Sequence, residues 1–139
     1  MPAKRKAFIV VILGDRTGEG FDEITLPPLV ALMDSSSPDY RQLLTPRGVA
    51  AFFVASTAAA QRADELVAAA EQLRSSDSRF ESLGIGISSG DMIADFSWFG
   101  RLRSPPLGTV ANEASRLASS APDAYFSSLT SIRDAYRHA

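Results

Sequence analysis

Asn112 and Arg116 stand four residues apart in a segment with helical apolar spacing, so an amide and a guanidinium share one helix face. The apolar stripe there is Val110, Ala111, Ala114, Leu117 and Ala118, which leaves Asn112 and Arg116 beside Ser115 and Ser119 on the polar side. A solvated polar face is the plain account of that pattern. A second group, Gly14-Asp15-Arg16-Thr17-Gly18-Glu19-Gly20, follows an apolar run and precedes a helix, the setting of a phosphate-cradling loop. It lacks the lysine of a Walker motif and is not GxGxxG, and Asp15, Glu19, Asp22 and Glu23 crowd it with negative charge. It reads as an acidic surface loop. Arg101 and Arg103 lie near Trp98 and Phe99, ahead of Pro105-Pro106. The expectation is that the two aromatics cover a sheet or a dimer face while the arginines stay in solvent. Ser88 and Ser89 have no histidine near them, and the single His138 sits beside the C-terminus, so serine hydrolysis is not supported.

The elements that position these groups are set by periodicity. Phe8-Ile9-Val10-Val11-Ile12-Leu13 is a continuous apolar run ending at glycine, the mark of a strand covered on both faces. A helix comes next, through Leu29 to Met33, with Pro27 and Pro28 in its first turn, and Asp34 to Pro38 reads as a loop. Gly48 to Ala55 is a second strand, and Thr57 caps an alanine-rich helix to about Arg74 along the stripe Ala63, Leu66, Val67, Ala70 and Leu73. Leu83 to Ser88 and Met92 to Trp98 form a hairpin about the turn Ser89-Gly90-Asp91. Thr109 caps a helix to Ser119, a last strand lies around Tyr125 and Phe126, and a short helix closes the chain. The order β-α-β-α-β-β-α-β-α implies an α+β fold with a mixed, ferredoxin-like sheet and helices on one face.

Composition narrows the function classes. The 139 residues fit one domain spanning 1–139, with 45% hydrophobic and 22% charged residues and a formal net charge of -2. That balance favours neither nucleic acid nor an anionic membrane as a partner. The absence of cysteine removes disulfides, thiolate metal sites and a cysteine nucleophile, and accords with a cytoplasmic setting. Lys4-Arg5-Lys6 before Ala7 to Leu13 has the look of a signal peptide, but the run is short and lacks a small-residue cleavage site.

Leu83 to Ala118, reading LGIGISSGDMIADFSWFGRLRSPPLGTVANEASRLA, resembles the class III adenylyl/guanylyl cyclase catalytic domain, written IGIHTGxVVAGxxG and then GDTVNxAARL. Gly84-Ile85-Gly86-Ile87, Gly90, Ala94, Gly108, Asn112, Ala114, Arg116 and Leu117 fall on that pattern. Pro46-Arg47-Gly48-Val49-Ala50-Ala51-Phe52-Phe53 is similar to the family's GDGxxAxF strand.

The resemblance implies a site built for two metal ions held by one Asp at the end of the first strand and one in GDG. On the pattern these positions are Ile12 and Arg47, while the purine-recognising Lys and Asp are replaced by Leu43 and Thr109. Asn112 and Arg116 remain in the positions that stabilise transition-state charge in the family. These matches and departures together imply a degenerate cyclase domain, inactive on its own and without a cofactor. Such a domain would act in signalling as a dimerising, partner-binding or regulatory module, as homodimer or heterodimer. The alternative is an adenylyl or guanylyl cyclase whose Mg²⁺ or Mn²⁺ ligands are relocated among Asp15, Asp22, Glu23 and Asp91, or one half of a heterodimer that lends Asn112 and Arg116 to a partner. A register three residues further on brings Asp15 to the first metal position.

Overall fold

A computed structural model describes residues 3–44 and 47–137; Pro46, in the strand motif, and His138 lie outside them. The chain runs β1 (Lys4–Asp15), α1 (Leu26–Ser35), β2 (Tyr40–Leu43), β3 (Gly48–Val54), α2 (Thr57–Ser76), a 3-10 turn (Ser78–Phe80), β4 (Leu83–Ala94), α3 (Val110–Ala118) and α4 (Phe126–Ala135). The sheet order is β2-β3-β1-β4, which with the order β1-α1-β2-β3-α2-β4 is the ferredoxin-like arrangement. The α+β class is as expected. Among the described residues the sheet is antiparallel throughout rather than mixed, because each helix returns the chain to a position one strand away.

β1 is the centre of the molecule, and its pleat sends successive side chains to opposite faces. Ile9, Val11 and Leu13 join Val49, Ala51 and Phe53 under α1, α2 and α4. Phe8, Val10 and Ile12 join Ala50 and Phe52 under α3. Helices therefore cover both faces of the sheet, where one face was expected. The continuous apolar run in β1 is the chemical consequence, since every side chain of Phe8–Leu13 is buried. At about 25 cal/mol per Å² of apolar surface, a strand so enclosed is a main source of burial energy here.

The Leu83 to Trp98 hairpin does not form. Ser89, Gly90 and Asp91 stay extended inside β4, because β1 offers twelve successive partners, from Asp15↔Leu83 to Lys4↔Ala94. A ladder of that length outweighs the turn preference of three residues. The reversal comes later: Ile93 bridges Leu107, Phe96 bridges Leu102, and the Ser97 amide donates to the Arg101 carbonyl at 2.7 Å. The strand expected around Tyr125 and Phe126 is also absent. Tyr125 stands at the start of α4 with its side chain fully buried, since Tyr125, Leu129 and Ile132 repeat at helical spacing against the core. Two further boundaries move. Ser56, not Thr57, caps α2, its hydroxyl accepting from the Ala59 amide at 3.0 Å, a contact worth about 1 kcal/mol. Tyr40–Leu43, beyond the loop Asp34 to Pro38 and given no element in the sequence reading, is an edge strand on β3.

Candidate functional site

The end of β1, the start of β3 and the C-terminal half of α3 enclose a cavity of about 570 Å³, lined by Ile12, Gly14, Asp15, Gly18, Leu44, Arg47, Ser115, Ala118 and Ser119. The pairing Gly14↔Gly48 and a hydrogen bond from the Asp15 amide to the Arg47 carbonyl at 3.3 Å bring Asp15 and Arg47 together. Gly48 is what permits this approach: a β-carbon there would lie 2.0 Å from the Leu13 carbonyl oxygen. Ile12 lines the same cavity but pairs with Ala50 and Gly86 inside the sheet and packs with Val10 and Phe52. Ile12 is thus cavity floor, and Asp15 is the carboxylate at the strand's end.

Asp15 is fully engaged. Its Oδ1 accepts from the Thr17 amide at 3.0 Å and the Ser82 hydroxyl at 3.0 Å, and its Oδ2 from the Thr17 hydroxyl at 2.8 Å and the Gly20 amide at 2.8 Å. A carboxylate offers about four lone-pair sites, so none is left over for a metal. Partial burial works to raise the Asp15 pKa, but the hydrogen bonds from Thr17, Ser82 and Gly20 outweigh it and hold the group below its ordinary value. The loop amides are spent as well. Those of Arg16 and Gly18 donate to the Ser82 and Asp15 carbonyls, and that of Glu19 to the Thr17 hydroxyl. The loop is therefore self-contained and is no phosphate cradle, in line with the acidic-loop reading.

The other candidate carboxylates do not converge on Asp15. Asp22 accepts from the amides of Ile24 and Thr25 and the Thr25 hydroxyl, which organise the entry to α1. Asp91 pairs with Ala7, eight residues along β1 from Asp15, about 26 Å at strand rise. Glu23 is exposed, and among the described residues no three carboxylate or histidine groups gather where a metal could be held. Leu43 lies on the edge strand β2 and Thr109 at the start of α3, where its hydroxyl makes no cap bond.

Asn112 and Arg116 do share an exposed face of α3, over an open hollow of about 490 Å³ that Ser88, Ser89, Thr109 and Glu113 also line. Arg116 is held by its own helix: its Nε and Nη2 donate to Glu113 at 3.0 and 2.6 Å. That two-point hydrogen bond raises the pKa of Arg116 and lowers that of Glu113. α3 itself sits unusually near the sheet, because β-carbons at Gly84 and Gly86 would lie 1.8 and 1.7 Å from the carbonyl oxygens of Ala118 and Ala114. Trp98 and Phe99 are 88% and 90% exposed at the tip of the arm after β4, so they do not cover the sheet as expected. Arg101 and Arg103 are in solvent, as expected. The tip is ordered by Ser97, whose hydroxyl accepts from the amides of Phe99 and Arg101.

No protein-family model and no curated protein matches this sequence. Solved structures do match the fold. The guanylyl cyclase domain of the RhoGC fusion protein from the aquatic fungus Blastocladiella emersonii, in a monomeric crystal structure of a double mutant, aligns with a TM-score of 0.60 at 20% identity over 97% of this chain and 88% of that one. The guanylyl cyclase Cya2 aligns with a TM-score of 0.59 at 17% identity, covering 86% of this chain and 72% of its own. The adenylyl cyclase CyaB from P. aeruginosa aligns with a TM-score of 0.55 at 17% identity, over 86% and 74%. The fold is that of the class III adenylyl and guanylyl cyclase catalytic domains. Among the described residues no helix is long and apolar enough to cross a membrane.

Proposed function

We propose that this chain is a cyclase-fold domain that does not cyclise nucleotides on its own and acts in signalling as a dimerising, partner-binding or regulatory module. The observation that carries the reading is the pair at the end of β1: a carboxylate with all four acceptor sites taken, beside an arginine. Two divalent cations need hard, available oxygen ligands to offset their charge. Asp15 offers none without dismantling its loop, and Arg47, which lines the same cavity, brings a cation rather than a second carboxylate. The residues present therefore do not fit a metal pair.

The interaction role is supported by Trp98 and Phe99. Two adjacent aromatics held out by an ordered turn, with Ile93 and Leu107 also exposed at its base, form an apolar projection of the kind buried in protein contacts. The test is an assay for cyclic nucleotide from ATP and from GTP with Mn²⁺, run on the purified chain. No product is the expected result, and metal-dependent product formation contradicts the reading.

One observation favours a second reading, a heterodimer in which this chain lends residues to a metal-bearing partner. Asn112 and Arg116 lie side by side on an exposed face over an open hollow. A pull-down that recovers a chain with carboxylates at the end of its first strand, and activity in the mixture lost in Asn112→Ala, would establish it.

A further inference from the structure

We propose that the start of β1 and the arm after β4 dock together on an anionic lipid surface, with Trp98 and Phe99 entering its interface; this rests on the interaction role above and names its partner. β1 gives the domain a charge axis. Lys4, Arg5 and Lys6 are exposed at its start. Asp15 stands at its far end, about 36 Å away at strand rise, with Glu19, Asp22 and Glu23 in the loop beyond. The formal net charge of -2 averages two unlike ends, so a balance that favours no anionic membrane for the whole chain does not describe the basic end. The pairings Lys4↔Ala94 and Arg5↔Ile93 set that basic start beside the base of the arm, where Arg101 and Arg103 add two exposed cations. Lys6 reaches the arm itself, its ammonium 5.8 Å from the centre of the Phe96 ring. Among the described residues none of these cations makes an ion pair. The carboxylates of Asp39, Asp91 and Asp95 share this end; Asp39 accepts from the Val54 amide at 2.7 Å, and Asp95 is half-buried. Asp64 and Asp134, on α2 and α4, are paired with Arg133 and Arg137.

The apolar part of this end suits a bilayer surface. Trp98 and Phe99 are neighbours at the tip of a turn that Ser97 orders, and little of either ring is covered. Exposed Ile93 and Leu107 bridge to each other at the base of the arm. Indole and phenyl rings favour the level of the lipid headgroups, where the indole N–H keeps a polar partner. Arg101 and Arg103 follow the two aromatics closely in the chain. Their long stems can lie along apolar surface while the guanidiniums meet lipid phosphates and carboxylates. Surface attachment strengthens with buried apolar area and with attraction to anionic lipids, and this end offers both. A protein partner would need a cleft for two protruding rings and acids spaced to match the cations. An anionic bilayer supplies both without a complementary shape.

The experiment is co-sedimentation of the chain with vesicles of equal parts phosphatidylserine and phosphatidylcholine, against phosphatidylcholine alone, with Trp98 emission read in parallel. Trp98 is the only tryptophan, so its signal reports the tip. Saturable binding to the anionic vesicles is expected, weakening as salt is added, with a blue shift of Trp98 and quenching by brominated acyl chains. Trp98→Ala/Phe99→Ala should weaken binding about tenfold or more, and Arg101→Gln/Arg103→Gln should weaken it several-fold and flatten its salt dependence. All four residues are exposed, so the variants keep their fold, which circular dichroism checks. No binding to anionic vesicles, binding without a Trp98 shift, or binding that Trp98→Ala/Phe99→Ala leaves unchanged overturns the proposal. Equal binding to phosphatidylcholine alone overturns the anionic assignment. A tip-dependent dimer in solution with no vesicle binding overturns the lipid surface and leaves the interaction reading to a second copy. Cyclic product made by the chain overturns the inactive-domain reading and leaves the vesicle result as it is.

Discussion

Gly86 in β4 lies directly beneath the backbone of Ala114 in α3, so close that a β-carbon at Gly86 would be 1.7 Å from the Ala114 carbonyl oxygen. This contact, repeated at Gly84 under Ala118, sets the height of α3 above the sheet and so the position of Ser115, Arg116 and Ser119 over the cavities. The glycines of LGIG are therefore there for packing rather than for turn formation or ligand contact. Gly86→Ala forces α3 off the sheet, and overpacking of this kind costs about 1–3 kcal/mol or more. Urea denaturation should show a lower midpoint with an unchanged m-value. An undiminished midpoint would mean that α3 does not sit where the structure puts it.

Asp15 acts as the staple of its loop. Asp15→Asn replaces an acceptor for four donors with an amide that cannot serve them all, and leaving donors unpaired at a part-buried site costs about 1–2 kcal/mol. The sign with pH is fixed by the lowered pKa. A carboxylate whose folded pKa lies below its ordinary 3.8 contributes stability that is present above that value and is lost as pH falls through the folded pKa. The difference between wild type and Asp15→Asn should hold near neutral pH and shrink below about pH 4. A difference independent of pH would contradict the staple.

Glu113 and Arg116 are both exposed, so their pair contributes little to stability; Glu113→Gln should leave the denaturation midpoint almost unchanged. Its effect should instead be on availability. Releasing Arg116 should strengthen the capture of any partner or anion that uses the α3 face, measured as retention on an immobilised partner or heparin, relative to wild type. Equal retention would show that Glu113 does not hold Arg116 back.

Trp98 is the only tryptophan in the chain, which makes the exposed tip its own probe. If the projection mediates self-association, Trp98 emission shifts to the blue as concentration rises. Sedimentation velocity at high micromolar concentration should give a dimer for wild type and a monomer for Trp98→Ala/Phe99→Ala. A wild-type monomer would remove the homodimer and leave another chain as the partner.

Much of the fold is legible in residue patterns. The run Phe8–Leu13 announces a strand buried on both faces, the alanine stripe announces α2, and Val110, Ala114 and Leu117 announce α3. What misleads is local chemistry overruled by long-range pairing. Ser89-Gly90-Asp91 has turn composition, yet β1 carries it as strand, and only the length of β1 could have signalled that. Tyr125 and Phe126 favour strands in isolation, but Leu129 and Ile132 complete a helical repeat that is there to be counted. For the site, the motif puts Arg47 beside the end of β1, and it puts Asn112 and Arg116 on one exposed face. It could not show that Asp15, rather than Ile12, is the residue whose amide meets the Arg47 carbonyl, because that depends on the register Gly14↔Gly48. The ion pair of Arg116 with Glu113 was open to view in the i, i+3 spacing and was missed.

The central claim is that the end of β1 cannot hold divalent metal, and calorimetric titration of Mn²⁺ into the chain, with no nucleotide or other chelator in the buffer, tests it most directly. No saturable Mn²⁺ binding is expected, and wild type and Asp15→Asn should give the same trace. Saturable binding of Mn²⁺ that disappears in Asp15→Asn would show that the carboxylate opens to a metal after all, and would contradict the claim.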